Sequence, residues 1–164
     1  MGSELSCQAG ADEIDIRPFS PEDWRFLARI APRMNPGQTA SPRDPAVFDR
    51  FFSEVGDDTF LTKPGAQAFV ATIEDQPCGI ISFYPDKDYF THHPRAYIDN
   101  LVVALESERK GVGRALLAFV ERQARDQGYR EVTLDVFAVN HGAIAFYERQ
   151  GYQPDHIRMV KPLD

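Results

Sequence analysis

The chain has 164 residues and a net charge of −7, with 43% hydrophobic and 26% charged residues, which by length suits one domain with a real core and an ordinary globular balance. Its acidity argues against non-specific nucleic-acid binding, and two cysteines, Cys7 and Cys78, make no disulfide framework. No apolar run reaches membrane-spanning length and no signal peptide is visible, so a cytoplasmic protein with no membrane partner is the default expectation.

Residues 1–12 are small and polar and read as a flexible tail ahead of one domain over 13–164. Residues 1–6 formally fit the myristoylation pattern, but nothing downstream supplies a second membrane signal. The alternation Ile14-Asp15-Ile16-Arg17 predicts a first strand. Ser20-Pro21-Glu22-Asp23 is a helix start, with a capping serine, proline in the first turn and acids near the helix dipole. Trp24, Leu27, Ala28 and Ala31 continue it as an apolar stripe. Residues 32–43, rich in Pro, Asn and Gly, predict a loop. Asp44-Pro45 opens a second helix, where Phe48, Phe51, Phe52 and Val55 fall at helical spacing and read as core rather than as a ligand box.

Residues 68–73 and 79–84 predict two strands joined by a hairpin turn over Glu74-Asp75-Gln76-Pro77. A polar loop with aromatics follows over 86–95, then a strand over 97–103. A helix runs from Val112 to Gln127, with Gly128 as the residue past its C-terminus. Residues 131–139 predict another strand. Asn140 caps a short helix that Gly151 stops, and residues 152–162 predict a last strand or strand pair. The order is β-αα-βββ-α-β-α-β, an α/β chain with a mixed, not purely parallel, sheet.

The densest chemistry lies between the strand at 97–103 and the following helix, in Ser107-Glu108-Arg109-Lys110-Gly111-Val112-Gly113-Arg114. Two glycines let the backbone approach a ligand closely. The first helical N–H groups have no partner inside the helix and point outward, and with the dipole they make an anion site that suits a diphosphate. Arg109, Lys110 and Arg114 add positive charge. A Walker A loop is excluded because Lys110 precedes Gly111 and no Ser or Thr follows it. A dinucleotide fingerprint is excluded because Leu116 stands where a glycine is required.

This turn, with Leu101-Val102-Val103 before it and Asn140-His141-Gly142-Ala143-Ile144-Ala145-Phe146-Tyr147-Glu148-Arg149-Gln150-Gly151-Tyr152 after it, resembles the GNAT superfamily of acyl-CoA-dependent N-acetyltransferases. Arg158-Met159-Val160-Lys161-Pro162-Leu163 is similar to the family's closing strand. The chain departs from the pattern at Glu108, where the family often has Gln or Arg. The resemblance implies a mixed twisted sheet flanked by helices, with a coenzyme A cleft between splayed parallel strands. It implies that main-chain groups of Leu101 and Val103 pair with pantetheine, as a ligand strand added to the sheet. Residues Arg109, Lys110, Gly111, Val112, Gly113 and Arg114 would wrap the diphosphate. By the same resemblance the N–H of Val103 would donate to the thioester oxygen, Asn140 would contact the cofactor while also capping its helix, and Tyr147 would be the general acid for the departing thiolate.

An amine must attack as a neutral base, so a carboxylate is required to take its proton, directly or through water. Asp99 is one candidate, placed by a two-residue period on the same strand face as Tyr97, Leu101 and Val103. Asp135, five residues before Asn140, is the other. His92, His93, His141 and His156 have no metal-ligand spacing, so no metal is expected. The expected reaction is acetyl transfer from acetyl-CoA to a primary amine of a small molecule or peptide in a ternary complex. Asp86, Asp88 and Asp99 would favour a cationic acceptor, and family resemblance allows a homodimer. The rival readings are a non-catalytic acyl-CoA sensor domain and a plain nucleotide binder.

Overall fold

The protein is described here by a computed structural model that covers residues 13–35, 37, 41–55 and 60–163; the tail expected over 1–12 lies outside these residues. Five strands form one sheet in sequence order: β1 (Ile14–Pro18), β2 (Gln67–Ile73), β3 (Gln76–Lys87), β4 (Pro94–Val103) and β5 (Val132–Leu134). The first four pair antiparallel with their neighbours, and β5 pairs with β4 in parallel. Glu74 and Asp75 both take positive φ, 49° and 62°, the conformation that lets a two-residue turn follow the strand twist. Gln76 and Pro77 therefore start β3 instead of belonging to the turn. At the other end β3 and β4 extend to Lys87 and Pro94, which shortens the expected loop over 86–95 to residues 88–93.

Helix α3 (Val112–Asp126) crosses one face of the sheet. Its Val112, Leu116, Leu117 and Val120 are buried among Ile81, Phe83, Ala96 and Ile98. Helix α1 (Trp24–Ile30) covers the other face, where Leu27 and Ile30 meet Val70, Ile80 and Val102. The α1 stripe is Phe26, Leu27, Ile30 and Ala31; Ala28, expected in it, faces solvent. The chain winds on in a 3-10 turn over Ala31–Met34 where the sequence predicts loop. Before α1, the buried Asp23 carboxylate takes the Ser20 N–H at 2.8 Å and both Arg17 guanidinium nitrogens at 2.7 Å. Burial alone would raise its pKa, but these donors hold it below the ordinary carboxylate range.

Three expectations are corrected. Helix α2 (Pro45–Ser53) forms where predicted, with Asp44 accepting the Ala46 N–H at 2.9 Å. Yet none of its nine residues is buried, and Phe51 is 56% exposed. Its aromatic stripe is not core. The strand expected over 131–139 pairs only over Val132–Leu134. No strand forms among residues 152–163, and Ile157, Met159 and Leu163 stand exposed. Pro154 and Pro162 remove two of the donors that a closing strand would need.

A bulge shapes the centre of the sheet. Ser82 faces Asn100 and Phe83 faces Ile98, so Asp99 is an extra residue with no partner on β3. A bulge bends its strand and reverses the side-chain alternation beyond it. Ala96 and Ile98 before it, and Leu101 and Val103 after it, all meet the α3 side of the core, which an unbroken period of two forbids. Tyr97 therefore does not share a face with Leu101 and Val103, contrary to the sequence expectation. The parallel pairing of β4 with β5 also stops at Ile98 and Leu134, next to the bulge.

Candidate active site

Past Ile98, the β5-facing edge of β4 runs on without a strand partner, while the chain after Leu134 turns away towards helix α4 (His141–Arg149). A cleft of about 220 Å³ opens there. Its walls bring together Asp99, Leu101, Asp135, Asn140 and Tyr147, five of the residues singled out from sequence, and add Arg33, Met34, Phe52 and Phe137, which sequence reasoning missed.

Beyond the cleft, β4 leads through a 3-10 turn over Leu105–Ser107 to the glycine turn. Arg109 takes φ 64° and Gly111 takes φ 87°. Two left-handed residues flanking Lys110 curl the backbone into a concave turn of the kind whose N–H groups face an anion. A non-glycine residue at positive φ is held there at a cost and marks a site over-determined by its surroundings. The first bond inside α3 runs from the Ala115 N–H to the Gly111 carbonyl at 3.0 Å, which leaves the N–H groups of Val112, Gly113 and Arg114 without partners in the helix. A Cβ on Gly111 would meet nothing within 4 Å, so the space in front of the turn is open. A Cβ on Gly113 would come to 3.4 Å from the Phe146 ring, and this glycine lets α4 pack close to α3. The turn thus fits a diphosphate, and the unpaired β4 edge fits an extended amide chain.

Val103 and Glu108 are joined by a residue from the other side of the sheet. Arg33 donates from Nε to the Val103 carbonyl at 3.0 Å and forms an ion pair with Glu108. Glu108, the departure from the family pattern, therefore has its charge matched beside the anion turn. The Val103 carbonyl keeps a second lone pair for a ligand amide. Arg33 lies about 70 residues away in sequence, inside the segment read as loop, and nothing local signals its role.

The candidate acid and bases differ in surroundings. Tyr147 packs edge-on against Phe146 and Tyr152, at 5.2 and 5.8 Å between ring centres. Burial pushes its phenol up to about 12, so it keeps its proton at neutral pH. Asp99 opens to the cleft from the bulge. Partial desolvation raises its pKa above the ordinary carboxylate value, against the pull of Lys63 and of the Asn100 amide, which donates to it at 3.1 Å. Both candidate carboxylates are solvent-exposed, and Asp135 faces Arg158 at 3.8 Å and accepts a hydrogen bond from Tyr97. Asn140 accepts the Ala143 N–H at 3.1 Å, so its capping role is realised. His92 and His93 sit on the β3–β4 loop away from the cleft lining. Among the described residues no three His, Cys, Asp or Glu side chains gather as a metal requires, and no helix is long and apolar enough to cross a membrane.

A glycine turn that fits an anion thus lies beside a gap between two parallel strands of a mixed sheet. Residues 24–152 match the family model described as Acetyltransferase (GNAT) family, and the chain belongs to that family. Human N-acetyltransferase 8 is 33% identical over 95 residues, covering 58% of this chain and 42% of that protein. A rat N-acetyltransferase family 8 member 3 gives the same identity and coverage. The chain thus spans less than half the length of these relatives. In structure it is similar to a putative acetyl transferase from Pyrococcus furiosus, with TM-score 0.72 and 22% identity over 92% of this chain and all of that one. It is also similar to a ribosomal-protein-alanine N-acetyltransferase from Brucella melitensis, with TM-score 0.66 and 16% identity over 93% of this chain and all of that one. These two likenesses concern the fold.

Proposed function

We propose that the chain transfers the acetyl group of acetyl-CoA to a primary amine by direct attack in a ternary complex. The observation that carries this is the continuity of three features. The unpaired edge of β4 leads through the 3-10 turn over Leu105–Ser107 to the left-handed residues Arg109 and Gly111, and Tyr147 lines the same cleft as Asp99. Acetyl-CoA is a substrate of this reaction and supplies the activated acyl carbon. The N–H groups of residues 112–114 hold its diphosphate, supported by Arg109, Lys110 and Arg114. Leu101 and Val103 orient pantetheine, with Asn140 beside it. The Val103 N–H faces the thioester oxygen, where negative charge develops. Asp99 accepts the amine proton, directly or through water, because its raised pKa makes it a better base than an ordinary carboxylate. Asp135, faced by Arg158, holds the far wall. Tyr147 returns a proton to the thiolate.

Cys78, the cysteine among the described residues, lies outside this machinery. Cys78 is buried, donates to the Ala71 carbonyl at 3.3 Å and has a pKa pushed up by burial to about 11, which suits packing rather than nucleophilic attack. The test is release of free thiol from acetyl-CoA that depends on added amine. Tyr147→Phe is expected to lower kcat by about 100-fold, with acetyl-CoA affinity by calorimetry nearly intact. Unchanged kcat removes Tyr147 from the mechanism. Tight acetyl-CoA binding with no turnover on a broad amine panel supports the sensor reading instead.

A further inference from the structure

We infer that the acceptor is a singly charged amine whose carbon chain carries an aromatic or branched apolar group, with Phe52 as the residue that selects it. This rests on the transferase reading and narrows it to a substrate class. Helix α2 carries an apolar stripe and buries none of it, so the core does not explain why the stripe exists. One residue of the stripe, Phe52, meets the cleft instead. Phe52 and Met34 line it from the α2 side, and Phe137 lines it from the segment after β5. Phe48 of α2 stands edge-to-face on Phe137, with ring centres 5.5 Å apart at 87°. This contact ties the two walls together and holds Phe137 at the mouth. The cleft lining thus combines these apolar side chains with the Asp99 carboxylate, while Arg33 beside Met34 is taken up by Glu108 and the Val103 carbonyl, and such a lining orients an amine by its charge and accepts its substituent by shape.

The carboxylates outside Asp99 do not extend this into a site for polycations. Asp86 and Asp88, which from sequence could attract one, are both bound by Arg95, at 2.8 and 3.1 Å. Asp135 faces Arg158. A second ammonium on the acceptor would have to displace an arginine, whereas a phenyl or branched alkyl group would meet Phe52, Met34 and Phe137.

The experiment compares kcat/KM for phenethylamine, ethylamine and spermidine, followed by thiol release from acetyl-CoA, in the unmodified chain and in Phe52→Ala and Phe52→Leu. We expect phenethylamine to exceed both ethylamine and spermidine by about tenfold or more, since apolar pockets discriminate at this scale per group removed. Phe52→Ala should reduce the phenethylamine-to-ethylamine ratio by about tenfold, and Phe52→Leu should restore part of it. Thermal melting and acetyl-CoA calorimetry on both variants separate lost selectivity from lost folding. A preference for spermidine or ethylamine in the unmodified chain overturns the inference while leaving the transferase standing. A ratio that does not respond to either Phe52 variant also overturns it. No amine-dependent thiol release with any of the three, despite acetyl-CoA binding, overturns the acceptor class, and the transferase reading falls with it only when the broad amine panel is silent as well.

Discussion

Helices α2 and α3 look alike as sequences and do opposite work. Each is amphipathic, though α2 starts at the Asp44 cap and α3 at Gly111 with no side-chain cap. Helix α3 buries Val112, Leu116, Leu117, Val120 and Ala124 against the sheet, and its N-terminus is the glycine turn. Helix α2 buries nothing, leaves Val47 and Phe51 each 56% exposed, and turns Phe52 into the cleft. The difference lies in what stands opposite. The middle of the sheet offers α3 a continuous apolar face. The side that α2 approaches is where β4 has bulged at Asp99 and lost β5. An apolar stripe at helical spacing says that a face needs covering, and only the topology says whether protein or ligand covers it.

That contrast predicts where damage appears as lost binding and where as lost folding. The largest effect belongs to Gly111→Glu. The fold has room for the side chain, so the penalty is a left-handed residue that is no longer glycine, together with a carboxylate set against the diphosphate. Repulsion of about 4 kcal/mol at close range gives a loss of acetyl-CoA affinity on the order of 10³-fold, while the backbone cost of about 1–2 kcal/mol weighs on the free and bound protein alike. Calorimetry measures it, and melting should change little by comparison. Affinity that survives the substitution would show that the anion is held elsewhere.

The next effect is read in stability. Leu116 is fully buried beneath the sheet and also touches the place a Cβ on Gly79 would occupy, 3.0 Å from its Cδ1. Leu116→Ala should cost about 3–5 kcal/mol, whereas Phe51→Ala on α2 should stay within about 0.5 kcal/mol. Denaturant unfolding of the two variants checks this, and equal losses would mean that α2 is part of the core after all.

How much of this was legible beforehand follows the same divide. The glycine turn, Gly128 and the Asn140 cap announce themselves locally, because backbone conformation and orphan N–H groups restrict residue type at fixed offsets. The strands β1 to β4 alternate clearly enough to be read within a few residues. Asp99 hid a bulge, because an extra residue in one strand is visible only against its partner, and the facing expected for Tyr97 failed with it. Arg33 joined Glu108 across 75 residues, a distance over which no pattern in the chain carries information. Phe52 showed as apolar but not as a ligand contact, for the reason α2 differs from α3. Residues 152–162 carry the apolar residues of a strand, but Pro154 and Pro162 withhold donors from its pairing, and the strand does not form.

Asp99 lies on the boundary between the two halves, and the smallest of these effects tests whether that boundary is where the proton goes. Asp99→Asn keeps an oxygen for the Asn100 amide and removes the charge. Turnover should fall on the order of 10²-fold, or about 2.7 kcal/mol. The acid limb of kcat/KM, expected in the unmodified chain above the ordinary aspartate range because desolvation raises this carboxyl, should flatten. Stability should move in the other direction. A carboxyl whose folded pKa is raised binds its proton more readily in the folded state, so ionising it weakens the fold as pH rises through that value. That burden is fully present at neutral pH and absent below the unfolded pKa. Asp99→Asn should therefore melt no lower than the unmodified chain at pH 7, and any advantage should vanish in acid. Lost turnover accompanied by lower melting at pH 7 would mean that the carboxylate holds the bulge in shape, and the base would have to be sought at Asp135.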